Sequence, residues 1–345
     1  MFISIGILAH NEENHVGAVI DDLARQTIFK SMDTQINIHV VANGCKDNTA
    51  SVSKSALETW IIPSSRVNRH VHNLSKPGKA NAWNEFVHNF TDKNSDYVFL
   101  LDADIRLPDE DTLASTLEGL IANPSAWIAV DEPIKDVSLK EKKSLLEKFI
   151  LSFSRTTHNV STAVCGQFYC VRYTVVQRIW MPTGIIGEDG FLRAMILTDC
   201  FKTSENTARL ICVPGARHVF ETRRNLRDIF HHQIRLAIGS GVNVLLFAHL
   251  RQQLEKLESI ESYIKLRNCN DPAWLNSLIA ERMKRGQYFV MYSAFLLRRP
   301  KYFLSLPVSD KLLKFPVYLA GTVVDIIVYL LANRLMRRGA AEGFW

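Results

Sequence analysis

The sequence has no CxxC pair, no basic leader ahead of an apolar stretch, no internal repeat and no low-complexity run. Its six cysteines stand at 45, 165, 170, 200, 212 and 269, and Cys165-x4-Cys170 has no partner cluster. Zinc-ribbon and disulfide frameworks are therefore disfavoured, and buried, reduced thiols are expected. Met1 runs straight into an apolar strand signal, so no secretory signal is expected and the body reads as cytosolic. Hydrophobic residues make up 47% and charged residues 22% of the 345 positions, which excludes disordered and collagen-like chains. That length fits two domains, or one large α/β domain with an appendage.

Charge is unevenly distributed. The net charge is +6, yet residues 281–345 hold 11 Lys/Arg against 4 Asp/Glu. The first 280 residues are close to neutral. A basic, apolar tail on a neutral body points to an anionic membrane surface met by one end of the molecule. No nucleic-acid-binding motif accompanies the charge, so no nucleic-acid partner is expected.

Strand and helix signals alternate through the first hundred residues. Strands are expected at Phe2–Ala9, Ile36–Ala42, Val67–Val71 and Tyr97–Leu101, with helices over 10–26, 47–60 and 78–90. This pattern argues for βαβ units in a mainly parallel sheet flanked by helices. Ligands of such sheets bind beyond the carboxyl ends of the strands. Further strands are expected at Trp127–Asp131 and Gln167–Arg172, and helices at 139–157, 188–197 and 224–250, the last softened by Gly239 and Gly241.

The tail contains a 19-residue segment, Phe315–Asn333, between Lys314 and Arg334. It is long enough to span a bilayer. Asp325 near its middle opposes a simple span, at a cost of roughly 2.5–3.5 kcal/mol. Tyr318, Thr322, Asp325, Tyr329 and Asn333 recur at helical spacing and form one polar stripe. Such a helix can lie in a membrane interface, or pack on the body or across a homodimer.

Several polar clusters fall at strand ends. Asp102-Ala103-Asp104 follows an apolar strand, where two carboxylates can share magnesium or manganese with bound phosphate. Lys76-Pro77-Gly78-Lys79 opens a helix and suits a diphosphate, though a solvated turn has the same composition. Asn11, Glu12, Asn43 and Asp47 end the first two strand units and can read a nucleobase and ribose, or cap helices. Glu188-Asp189 precedes a helix, where a carboxylate can take a proton from an attacking hydroxyl, or simply complement the helix dipole.

In this order the clusters resemble the family 2 glycosyltransferases of the GT-A fold. The matching segments are ISIGILAHNEENHVGAVIDDLARQ, VVANGCKDNTA, KPGKANAWN, FLLDADIRLPD, AVCGQFYCVR and GIIGEDGFLRAMI. The resemblance spans about residues 1–240, which implies a Rossmann-like GT-A catalytic domain there and a helical C-terminal appendage over 241–345. It implies Asn11, Glu12, Asn43, Asp47, Lys76, Lys79 and Asp102 at a UDP- or GDP-sugar donor. Asn43 stands where the family usually has an Asp. It implies Asp104 and Asp102 on a divalent cation, Mg2+ or Mn2+, and Asp189 as the base. Glu188, Gly166 and Gln167 fall on the acceptor side.

Processive members add Gln-x-x-Arg-Trp. Here His232-Gln233-Ile234-Arg235-Leu236 keeps only Arg235, which argues against a processive polymerase and leaves Arg235 for the donor phosphates. His218 is a further candidate for the metal or the leaving diphosphate, with a structural role as its alternative. The expected activity is inverting sugar transfer to a hydroxyl of a glycan or lipid-linked acceptor, in surface-glycan or lipid-linked glycan synthesis, on the cytoplasmic membrane face. A nucleotidyl- or phosphoryl-transferase with the same acid pair, and a non-catalytic glycan- or membrane-binding protein, are the competing classes.

Overall fold

A computed structural model describes residues 1–31, 33–60, 66–144, 147–148, 151, 163–256, 259–286 and 288–339. In chain order its elements are β1 (Phe2–Ala9), α1 (Val16–Ala24), β2 (Gln35–Asn43), α2 (Thr49–Thr59), β3 (Val67–Leu74), α3 (Lys79–Glu85) and β4 (Tyr97–Asp102). Then follow β5 (Ile105–Arg106), α4 (Thr112–Ala122), β6 (Ile128–Lys135), β7 (Phe168–Arg172), α5 (Tyr173–Val176), α6 (Glu188–Leu197) and β8 (Leu210–Phe220). The C-terminal part is helical: α7 (Leu226–Leu254), α8 (Ile260–Asn270), α9 (Trp274–Lys284), α10 (Ala294–Ser305) and α11 (Val308–Arg337).

One eight-stranded sheet runs β3-β2-β1-β4-β7-β6-β8-β5. The strands β3, β2, β1 and β4 are parallel, as the alternating signals imply. β7 then enters antiparallel to β4 and β6, and β5 antiparallel to β8, so the whole sheet is mixed. β1 lies between β2 and β4 and is buried on both faces, which is why FISIGILA reads as an unbroken apolar run. Two apolar clusters cover the sheet, one holding Ile5, Ile38 and Phe99, the other Trp83, Tyr169 and Phe191.

The first helix begins at Val16 rather than His10, because His10–His15 form a polar turn over the carboxyl ends of β1 and β2. The third ends in a π-helical turn, Phe86–Phe90. Most of the helix expected over 139–157 lies outside the described residues, and residues 139–144 are not helical. α7 runs unbroken across position 240, the expected domain boundary. Its glycines serve close approach: a Cβ on Gly239 would stand 3.1 Å from the Gly187 nitrogen, just ahead of α6.

The polar stripe of α11 faces the protein. Tyr318, Asp325, Tyr329 and Asn333 are buried, and Asn333 accepts a hydrogen bond of 2.7 Å from the Val290 amide. Asp325 accepts from Arg298 at 2.7 Å and from Arg299 at 2.9 Å, both on α10. The opposite face of α11 carries Phe315, Leu319, Val323, Ile326, Ile327 and Leu330, each between 44% and 55% exposed.

Candidate active site

The carboxyl ends of β1 and β4 meet β7 and the start of α6 in one cleft of about 2030 Å³. Glu12, Lys79, Asp102, Asp104, Gly166, Gln167, Glu188, Asp189 and Arg235 all line it. The antiparallel β4–β7 pairing creates this convergence. The Asp102 amide donates to the Gln167 carbonyl at 2.9 Å, so the Asp-x-Asp turn stands beside Gly166-Gln167.

Lys79 sits at the start of α3 and points across the cleft floor. Its Nζ donates to Asp102 at 2.7 Å, stands 3.3 Å from Glu188 Oε1 and reaches the Gly166 carbonyl at 3.4 Å. Burial alone would lower its pKa, but Asp102 and Glu188 outweigh burial and hold it up and charged. Burial pushes the Asp102 carboxyl up to about 6, against the pull of Lys79. With an ammonium at 2.7 Å, Asp102 is an ionised member of that pair at neutral pH.

Asp104 differs from Asp102. It is exposed, lines the cleft, and makes no hydrogen bond or ion pair with the described residues. A free carboxylate beside a second one is the donor set that magnesium or manganese accepts while keeping water and phosphate in its shell. Among the described residues no group of three or more His, Cys, Asp or Glu gathers as a protein-only metal cage. That too fits a hard cation completed by substrate oxygens rather than a structural zinc.

Asp189 lies in the first turn of α6, where its Oδ1 accepts from the Gly190 amide at 2.7 Å. Burial raises its pKa to about 6, and the Glu188 charge adds to this, against Lys79 and Arg235. A carboxylate poised near neutral pH is suited to remove a proton. The start of α6 is fixed from behind by α7, since Asn243 Nδ2 donates to the Gly187 carbonyl at 2.7 Å.

The expected nucleotide residues are mostly engaged in shaping their own turns. Asn11 has φ of 56° and accepts from the Lys46 amide at 2.8 Å. Asp47 accepts from the amides of Thr49 and Glu13, both at 3.1 Å. These bonds outweigh the upward push of burial and lower its pKa. Asn43 is fully buried, donates to the Gly78 carbonyl at 2.7 Å and accepts from Asn81 at 3.2 Å. These bonds clamp the β2 turn to the Lys76–Lys79 loop. Lys76 is exposed, and neither it nor Asn11, Asn43 or Asp47 lines the cleft. Glu12 does, and burial raises its carboxyl.

His218 stands one layer behind. It is fully buried, its Nδ1 lies 2.8 Å from Asp131 and its Nε2 3.4 Å from Gln167 Oε1. Burial opposes its charge, yet the bond to Asp131 pushes it up to about 9. The pair thus orients Gln167, which lines the cleft where His218 does not. Cleft residues without a prior sequence signal are His10, Lys135 and Arg223. Arg223, three residues beyond β8, feels the charge of Asp104, since β8 pairs with β5 just after the Asp-x-Asp turn.

The fold and the convergence of acids, lysine and the Gly166-Gln167 turn define a GT-A glycosyltransferase. The glycosyl transferase family 2 model matches residues 4–180, and the chain belongs to that family. A comparison with curated protein sequences finds no match. Among solved structures, the mannosyltransferase PcManGT from Pyrobaculum calidifontis, in complex with GDP-Man and Mn2+, is 18% identical. The match covers 96% of this chain and 86% of that one, with a TM-score of 0.53. Glucosyl-3-phosphoglycerate synthase from Mycobacterium tuberculosis, with Mg2+ and UDP, is 14% identical over 73% of this chain and 79% of that one, at a TM-score of 0.46. Mannosyl-3-phosphoglycerate synthase from Rubrobacter xylanophilus is 15% identical over 73% and 75%, also at 0.46.

Proposed function

We propose that this glycosyltransferase inverts the anomeric centre, depends on Mg2+ or Mn2+, and takes a UDP- or GDP-sugar to an acceptor hydroxyl at a membrane surface. One observation carries this reading: the half-buried Asp189 faces the same cleft as the Lys79–Asp102 pair and the unpaired Asp104. Asp104 and Asp102 would hold the cation. Bound there, the cation supplies Lewis-acid stabilisation of the departing diphosphate.

The chain's own groups supply the rest. Asp189 takes the proton of the acceptor hydroxyl as that oxygen attacks the anomeric carbon opposite the leaving group. One in-line displacement inverts the configuration. Lys79, locked in place by Asp102 and Glu188, presents fixed positive charge at the floor, needing no rearrangement during reaction. Glu12 and the braced Asn11, Asn43 and Asp47 turns form the nucleotide side with Lys76, and Gly166, Gln167 and Glu188 the acceptor side.

The acceptor is a glycan or lipid-linked molecule, and the enzyme sits peripherally on the cytoplasmic membrane face. Two helices, Leu226–Leu254 and the Lys314–Arg337 part of α11, are long and apolar enough to cross a membrane. The inward polar stripe leaves α11 with an apolar outer face, flanked by Lys311, Lys314, Arg334 and Arg338. Such a face suits insertion among lipids with basic ends at the headgroups.

Thermal unfolding of the full chain with a panel of UDP- and GDP-sugars, with and without Mg2+ or Mn2+, tests the site. One sugar nucleotide should raise the midpoint only with the cation, by about 2.7 kcal/mol of stabilisation at 100 times its dissociation constant. Equal stabilisation in excess chelator would remove the metal from the proposal.

A further inference from the structure

Basic side chains around the cleft fall into two sets. Arg217 pairs with Asp109, Arg224 with Asp136, and Arg298 and Arg299 with Asp325. Lys135, Arg223, Arg227 and Arg235 also line the cleft, but their side chains make no ion pair or hydrogen bond with the described residues. Lys135, Arg223 and Arg235 stand together: Lys135 ends β6 opposite Phe220 of β8, three residues before Arg223, and Arg235 follows His232 by one turn of α7. Burial, then the charge of Arg235, lowers the pKa of Arg223, with Asp104 and Asp228 offsetting it. His232 on α7 lines the same wall and is pushed down to about 4, first by burial and then by Arg223, Arg235 and Lys135. Its Nδ1 is buried with no hydrogen-bond partner. Three cations and an orphaned ring nitrogen in one partly buried wall form a site that an anion would complete.

The position of the wall says which anion. Arg235 is close enough to Asp189 to stabilise its carboxylate, and Asp189 fixes where the acceptor hydroxyl must lie. Apolar side chains line the same cleft: Ile134, Phe230, Leu236 and, on α11, Val324. The outer face of α11 is the exposed apolar surface described above. Planar guanidinium forks match phosphate oxygens in pairs.

We propose that Lys135, Arg223 and Arg235, with His232, form a subsite for a phosphate group carried by the acceptor next to its reacting hydroxyl. This deepens the proposed function, rests on Asp189 as the base, and moves Arg235 from the donor phosphates, where the family resemblance puts it, to the acceptor. An acceptor phosphate held here pins the hydroxyl beside Asp189 and directs the rest of the acceptor along the apolar wall. Sugar acceptors lacking the anion would lose that anchor. A lipid phosphate and a soluble sugar phosphate share this chemistry.

The probe is inorganic phosphate, titrated calorimetrically into the full chain, Arg223→Gln and Arg235→Gln. One arm contains chelator, the other saturating Mg2+ with UDP or GDP. Phosphate should bind the parent in both arms and at least tenfold more weakly to each variant. Nucleoside diphosphate and phosphate should bind together. Displacement of phosphate by the nucleoside diphosphate would assign the wall to the donor and overturn the proposal, as would unchanged binding in both variants. Failure of UDP and GDP to bind at all would instead strike the donor reading, while the chelator arm still reports on the subsite. Flotation with phosphatidylcholine vesicles carrying phosphatidic acid, against vesicles carrying the same charge as phosphatidylglycerol, separates the sources. A lipid phosphate predicts extra retention by phosphatidic acid that both variants lose. A soluble phosphate predicts tighter calorimetric binding with no such extra retention.

Discussion

Asp189 owes its basicity to burial and to Glu188, and both effects disappear if the group cannot ionise. Asp189→Asn keeps size and removes the proposed base, so transfer should fall roughly 10²–10⁴-fold. Nucleotide binding should be retained. The pH dependence follows from the sign of the shift. The carboxyl is raised to about 6 by burial and Glu188, against Lys79, Arg235 and the Gly190 amide, so the reactive carboxylate is lost below that pH. The rate should therefore rise tenfold per pH unit up to about 6 and then level off, and a pH–rate profile checks it. Asp104→Asn should melt at the parental temperature without ligands, because Asp104 is exposed and unpaired, yet lose cation-dependent stabilisation by nucleotide. At this scale the order of the clusters along the chain conveyed which acids and which lysine would share a cleft. It conveyed less about Asn11, Asn43 and Asp47. Short polar residues at strand ends have the same spacing whether they touch a ligand or brace a turn, and here their hydrogen bonds go to neighbouring loops.

Helices position these groups, and two contacts carry the connection. Gly187 and Gly239 bring α7 against the start of α6, with Asn243 adding a hydrogen bond. Gly239→Val should force that crossing apart. We expect kcat to fall with little change in nucleotide affinity, and steady-state kinetics beside nucleotide titration measures the split. The second contact is Asp325 with Arg298 and Arg299. Asp325 and Arg299 are both about 1% exposed, so Asp325→Asn removes a buried carboxylate that Arg298 and Arg299 share. Losing one member of a buried pair costs about 3–5 kcal/mol, which urea unfolding should register. The helical period of Tyr318, Thr322, Asp325, Tyr329 and Asn333 was legible in the sequence, but the direction of the stripe was not. Period fixes which residues share a face. The arginines on α10 that turn this face inward lie more than twenty residues away and carry no periodic signal of their own.

Across the whole molecule, an α/β body with its acids at one edge is joined to helices whose outer surface is apolar. The parallel strands β1 to β4 were legible because each is an apolar run between turn residues. The antiparallel entry of β7, which brings Gly166 and Gln167 to Asp102, was not, since strand direction leaves no local mark. If the outer face of α11 meets lipid, the protein should float with anionic vesicles, less with neutral ones, and release with salt. Each basic residue near an anionic surface contributes about 1 kcal/mol. Binding to neither vesicle would leave a second copy of the chain to cover that face. The most direct test of the central claim is proton NMR of the products formed from the stabilising sugar nucleotide, with cation, by the parent and Asp189→Asn. The account predicts release of the nucleoside diphosphate and a sugar of inverted anomeric configuration, much slower in the variant. Retained configuration, or release of a nucleoside monophosphate or pyrophosphate, would contradict it.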